Sequence, residues 1–487
     1  MKPGGRGLSS AAPQERRNVP DPADGYGTIT EGSVAMTTRS TKLMFIFLIA
    51  GILSACSAPG KHLDGASLPV DYEIEDVRNL AQDIGAYTAS LPGEILAKTL
   101  QESLLSEFKR RYFAPWTGDG FTSNIAESVT TMKNHAEREW YGENKRKVPK
   151  KVLEELLATC DLEHFPSMNR LAIATAAADM RVLPTAKPFF ETADDFPFDD
   201  MQNTGVKVNE PLRVLHASRD GLWVFVESAD TNGWVESRYV GYIDKNQARK
   251  WTEQELIVIV KDASVIRDPR GFASQQANMG TLCPLTGDVG DAYEVLVATP
   301  AENHTARETR ATVPKEEARK FPLKFGRESI SLVGNELINK PYGWGEKFQD
   351  RDCSAMMRDF YLPFGIFLPR GSYNQIHSGR TISLAGLSSG DKERLIREKG
   401  VPFLTLVYLK GHIMLYVGTL NGKALVFHNI WGVNVKKANG GTMKLVIGKS
   451  IVSSLTPGSE LQLVTGPLLE RISTMLVVTD RRADDSH

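Results

Sequence analysis

Cysteine is scarce: the 487 residues hold four, at positions 56, 160, 283 and 353. That spacing excludes a disulfide framework and any CxxC metal site, so each cysteine needs its own account. An excess of charge of one sign is missing too, with 58 Lys and Arg against 59 Asp and Glu and a formal net charge of −1. Such a chain has no global attraction to phosphate, and no local basic patch stands out, which excludes a general nucleic-acid binder. Long apolar runs are absent but for residues 43–53 (LMFIFLIAGIL), too short to span a bilayer. What is present, 41% hydrophobic and 24% charged residues, describes a globular chain long enough for several domains.

The apolar run follows Arg39 and Lys42 and precedes Ser54, Ala55 and Cys56, the layout of an export signal. Cys56 after Leu-Ser-Ala resembles the bacterial lipobox, which implies a lipid on Cys56. Cleavage near Ala55 without a lipid, or a buried helix, are the readings the residues leave open. Residues 1–35 read as a non-native extension ahead of Met36, residues 36–55 as a lipoprotein signal peptide and 56–70 as a linker. The expected location is membrane-anchored and facing the periplasm, and Ser57, where an inner-membrane protein would carry Asp, resembles an outer-membrane sorting signal.

From 71 to 166 the pattern is helical. Leu96, Leu100, Leu104, Phe108 and Tyr112 recur every four residues, and Val152, Leu153, Leu156 and Leu157 line a second stripe. Between 167 and 245 the period becomes two, with turns at Ser218-Arg-Asp-Gly221 and Asp230-Thr-Asn-Gly233, which predicts a small barrel. A strand-rich stretch within 246–324 predicts another. The unit at 325–487 opens with helices and continues into a meander, an α+β arrangement. The closing Gly233-Trp-Val235 resembles bacterial SH3-like domains, so the fold class expected is multidomain α+β, with a helical N-terminal region, two small barrels that this resemblance makes SH3-like, and a C-terminal α+β domain.

Cys353 opens the helical segment that runs to Leu362. A thiol at a helix start faces unpaired backbone N–H groups, which favours thiolate and predicts an activated nucleophile. Downstream, His412 begins one strand and His428 ends the next. A five-residue turn at 418–422 would place the two histidines directly opposite; a two-residue Asn421-Gly422 turn would set His428 against Leu415. A cysteine at a helix start with two histidines on one hairpin is the pattern of nucleophile, base and orienting residue.

Tyr342-Gly-Trp-Gly345, Asp352-Cys-Ser354, Leu368-Pro-Arg370 with Ser372 and Gln375, Gly411-His412 and His428 resemble the NlpC superfamily of papain-like peptidoglycan endopeptidases. The order of modules is similar to its multidomain lipoprotein branch. Two departures are visible: Glu346 and Ala355 stand where many members have glycine. The resemblance implies cleavage of the γ-D-glutamyl–diaminopimelate amide of peptidoglycan stem peptides by Cys353, His412 and His428. It also implies an oxyanion hole at the Cys353 N–H, and substrate contacts from Tyr342, Asp352, Arg370 and Ser372, with Asp352 on the free L-alanine amine. No metal or other cofactor is expected, and the chain is expected to be monomeric. A wall-binding lipoprotein with little activity and an N-acetylmuramoyl-L-alanine amidase are the alternatives.

Overall fold

Helix formation in the N-terminal region follows the apolar stripes only in part. The helix Lys98–Tyr112 buries Leu104 and Phe108, whereas Leu100 is 38% exposed. A step of four residues overshoots a full turn by about 40°, so five residues at that spacing cannot share one face. Basic Lys109, Arg110 and Arg111 fill its last turn, where the dipole favours them. The helix Lys150–Thr159 buries Leu153 and leads to Cys160, which is fully enclosed. This computed structural model describes residues 72–118, 124–437 and 440–480, so the extension, signal, linker and Cys56 lie outside the described residues.

The first strand-rich unit contains β1 (Arg170–Ala174), β2 (Ala178–Arg181), β3 (Gln202–Val206), β4 (Pro211–Ala217), β5 (Trp223–Glu227), β6 (Asn232–Glu236) and β7 (Val240–Tyr242), ordered β3-β2-β6-β5-β4-β1-β7. The second contains β8 (Leu256–Ile259), β9 (Ser264–Arg267), β10 (Ala273–Ala277), β11 (Leu282–Val289), β12 (Ala292–Pro300), β13 (Ala306–Pro314) and β14 (Ala318–Lys320), ordered β10-β9-β13-β12-β11-β8-β14. The expected SH3-like units are present, but neither sheet closes into a barrel. β3 and β7 are the edges of one and β10 and β14 of the other. One β3 edge is instead covered by the segment Trp344–Gln349 of the C-terminal unit.

That unit holds a six-stranded sheet of β15 (Thr381–Ser383), β16 (Thr405–Leu409), β17 (His412–Leu420), β18 (Lys423–Lys436), β19 (Thr442–Ser454) and β20 (Thr474–Val477), ordered β15-β20-β16-β17-β18-β19. The helix Cys353–Tyr361 packs across β17 and β18. Every residue of that helix except Arg358 is buried. The β17–β18 hairpin turns on Asn421 and Gly422, both at positive φ, and Leu420 pairs with Lys423. A bulge between Tyr416 and Gly418 then shifts the ladder by one, so Leu415 faces Phe427. The five-residue turn is thereby excluded, and continuing the observed register sets His428 beside Met414. His412 and His428 are diagonal neighbours on one face, within reach of long side chains.

Candidate active site

Asp352 is the N-cap of the Cys353 helix, its carboxylate accepting from the Ala355 N–H at 2.8 Å. The same carboxylate accepts from the Ser354 hydroxyl at 2.9 Å, the Gly345 N–H at 3.2 Å, and Arg370 at 3.0 and 2.8 Å. Five donors thus crowd the roughly four lone-pair directions of the carboxylate. Burial alone would raise the Asp352 carboxyl, but the Arg370 guanidinium and these hydrogen bonds hold it down at about 2.

Arg370, expected as a substrate contact, is only 7% exposed. Its donors go to Asp352, the Ser354 hydroxyl at 2.6 Å and the Thr204 hydroxyl at 2.9 Å on β3. It is a buried strut between two units, because a guanidinium out of water keeps its charge only where carboxylate and hydroxyl oxygens surround it. Ser372 opens the short helix Ser372–Ile376 and is half-buried. Tyr342 is half-buried, with a hydroxyl that burial and the neighbouring Cys353 and Asp352 push well above the usual phenol range. It lines a groove of about 640 Å³ with Trp344, Phe348 and Trp431 of its own unit and Phe190 and Phe196 of the first strand-rich unit. Phe348 and Phe196 are 79% and 66% exposed, so the groove presents apolar rings to solvent.

Cys353 lies against the start of β17, where the Ile413 N–H points at its sulfur. Its helix start does not deliver the expected low pKa. Burial, with the Asp352 charge beside it, pushes the thiol up to about 12. Burial, aided by the Arg471 charge, draws half-buried His412 down to about 4. The resting site therefore holds a neutral thiol and a neutral imidazole. His412 Nε2 lies 2.8 Å from His428 Nδ1, which leaves Nδ1 of His412 outside that hydrogen bond. His428 is fully buried, and its Nε2 lies 3.0 Å from the Ser453 hydroxyl on β19.

Glu346 holds a left-handed φ of 63°, a conformation glycine adopts without strain. Its carboxylate accepts from the Thr204 hydroxyl at 2.6 Å and from Arg358, tying the Cys353 helix to β3. Sequence reasoning placed this residue at the loop but did not find its partners. It also missed Arg351, which bonds Asp262 of the second strand-rich unit at 2.8 and 2.7 Å and Asp359 at 2.7 Å. No local pattern marks the Asp262 pair, since its partners are 89 residues apart. Cys160 and Cys283 are buried free thiols in separate cores. Among the described residues no group of three or more His, Cys, Asp or Glu could hold a metal ion, and no helix is long and apolar enough to cross a membrane.

Residues 45–165 match the family profile of the N-terminal NLPC_P60 stabilising domain, residues 188–236 that of the SH3 domain of SH3b1 type, and residues 339–447 that of the NlpC/P60 family. Among solved structures, an NlpC/P60 endopeptidase from Photobacterium damselae subsp. piscicida is similar at a TM-score of 0.75 and 21% identity, covering 82% of this chain and 98% of its own. An NlpC/P60 family protein from Bacillus cereus aligns at a TM-score of 0.44 and 16% identity, covering 64% of this chain and 99% of its own. No curated protein matches the chain.

Proposed function

From the premise that residues 339–447 are an NlpC/P60 domain, preceded by its stabilising and SH3 modules, we propose that this peptidase is a cell-wall hydrolase acting through Cys353, His412 and His428. The bond cleaved is the amide between the γ-carboxyl of D-glutamate and a diamino acid, meso-diaminopimelate, in peptidoglycan stem peptides. The observation that carries this reading is the packing of the Cys353 helix on β17, the strand that His412 opens, with His412 held 2.8 Å from His428.

As the Cys353 sulfur attacks the carbonyl carbon, its proton moves to Nδ1 of His412. The Cys353 N–H, in the first helical turn where backbone donors lack intrahelical acceptors, faces the developing oxyanion. His412 as imidazolium then protonates the leaving amine, and the C–N bond breaks to give a thioester. A water molecule gives its proton to His412 as its oxygen attacks the thioester, and the acid product leaves with the thiol restored. His428 keeps the imidazole of His412 in plane throughout. Digesting purified sacculi and the tripeptide L-Ala-γ-D-Glu-diaminopimelate, with mass spectrometry of the products, tests the proposal. Release of free diaminopimelate-containing ends by the wild type and not by Cys353→Ala is expected; cleavage that persists without Cys353, or a cut between muramic acid and L-alanine, overturns it.

The sequence of residues 39–56 supports a second proposal, that the enzyme works outside the cytoplasm on a lipid anchor at Cys56.

A further inference from the structure

Ser453 sits on β19 opposite Val426, two residues along from His428 and on the same face of the sheet. It is fully buried. Its hydroxyl lies 3.0 Å from His428 Nε2 and 2.7 Å from the Ser454 carbonyl oxygen. A carbonyl oxygen can only accept, so the single hydroxyl proton of Ser453 is committed there, and towards His428 the oxygen presents a lone pair. Nε2 of His428 therefore carries the proton. A neutral imidazole has one N–H, and burial beside His412 keeps His428 neutral, so its Nδ1 is an acceptor. His412 Nε2, 2.8 Å away, must be the donor in turn. That puts the one proton of neutral His412 on Nε2 and its lone pair on Nδ1. When His412 becomes an imidazolium, the same two hydrogen bonds persist unchanged, so no rotor turns during the reaction.

We propose that Ser453 is a positioning residue that sets the tautomer of His428 and, through it, presents the lone pair of His412 Nδ1 to the Cys353 thiol. The proposal rests on the reading of Cys353 and His412 as the reacting pair. Without the hydroxyl, His428 is free to place its proton on Nδ1 and donate to His412 Nε2. His412 then carries its proton on Nδ1 and has no base to offer the thiol.

The test uses the full chain labelled with ¹⁵N-histidine, as wild type, Ser453→Ala and Ser453→Thr. In the wild type both His428 and His412 are expected as Nε2–H tautomers. In Ser453→Ala the His428 resonances are expected to move towards the Nδ1–H form, while kcat falls about tenfold and KM stays within about twofold, the scale of one misdirected hydrogen bond. Ser453→Thr keeps a hydroxyl and is expected to hold both the tautomer and kcat. An Nδ1–H His428 in the wild type, an unchanged kcat in Ser453→Ala, or a fallen kcat in either variant with the Nε2–H form intact would each overturn the proposal. The tautomer measurement needs no substrate, so it stands apart from the peptidase reading, which fails instead by Cys353-independent turnover.

Discussion

At the residue scale, burial outweighs the helix dipole. A helix N-terminus stabilises a nearby anion by roughly 0.3–1 kcal/mol, less than the cost of ionising a thiol that has lost its water. Between about 4 and about 12 the Cys353 thiol and the His412 imidazole are accordingly both neutral. The pH profile of kcat/KM should be flat through neutrality, with its acid limb falling as His412 protonates at about 4. Steady-state rates on a tripeptide from pH 3.5 to 9 check this, and limbs on both sides of neutrality belonging to Cys353 and His412 would reject it. Cys353→Ala and His412→Ala should reduce turnover to background, a loss of at least the roughly 10²–10⁴-fold typical of general acid–base groups. His428→Asn should retain partial turnover, about a tenth, since an amide still accepts from His412 Nε2.

At the element scale, the cap of the Cys353 helix is also an ion pair. Asp352→Asn removes the charge facing buried Arg370 and should cost about 3 kcal/mol or more in denaturant unfolding. The folded-state pKa of Asp352 lies near 2, below its ordinary value of 3.8. Its contribution is therefore full above the ordinary value and lost as pH falls through about 2, so the gap between wild type and variant should close in acid. Because five donors already occupy the carboxylate, the ratio of kcat/KM on amino-free and N-acetylated tripeptides should stay constant in Asp352→Asn. A collapse of that ratio would return Asp352 to amine binding.

At the scale of the whole molecule, the described residues lie in one compact unit whose modules meet through buried charge. Glu346 and Arg370 join β3 to the Cys353 helix, and Arg351 joins that helix to Asp262. Glu346→Gln leaves Arg358, Arg370 and Lys207 short of a counter-charge. It should lower thermal stability by at least about 2 kcal/mol and reduce turnover by loosening the loop before Asp352. Calorimetry and kinetics on Glu346→Gln check both; an unchanged Tm removes the inter-module role. The anchor is tested separately, by fatty-acid labelling of cells: Cys56→Ala should lose the label and leave the membrane fraction.

Local chemistry was legible wherever short-range order decides it. The Asp352-Cys-Ser354 helix start and the period-two strands depend on neighbours within a few residues, so the sequence alone determined them, along with the order of the modules, whereas the choice of the Asn421-Gly422 turn over a five-residue one came from the pairing of β17 with β18. The bulge at Tyr416–Gly418 was not legible, because a one-residue slip is chosen by which face of β17 packs on the Cys353 helix. Nor was the neutrality of Cys353 and His412, since desolvation is a property of everything packed around a group. Arg370 was expected as a substrate contact, and only the fold encloses it with Thr204, 166 residues away, and Asp352. Ser453 carried no motif at all, and only the pairing of β19 with β18 brought its hydroxyl to His428. Tertiary structure decided the protonation and direction of the site, because hydrogen-bond donors and lost water are assigned in space and not along the chain.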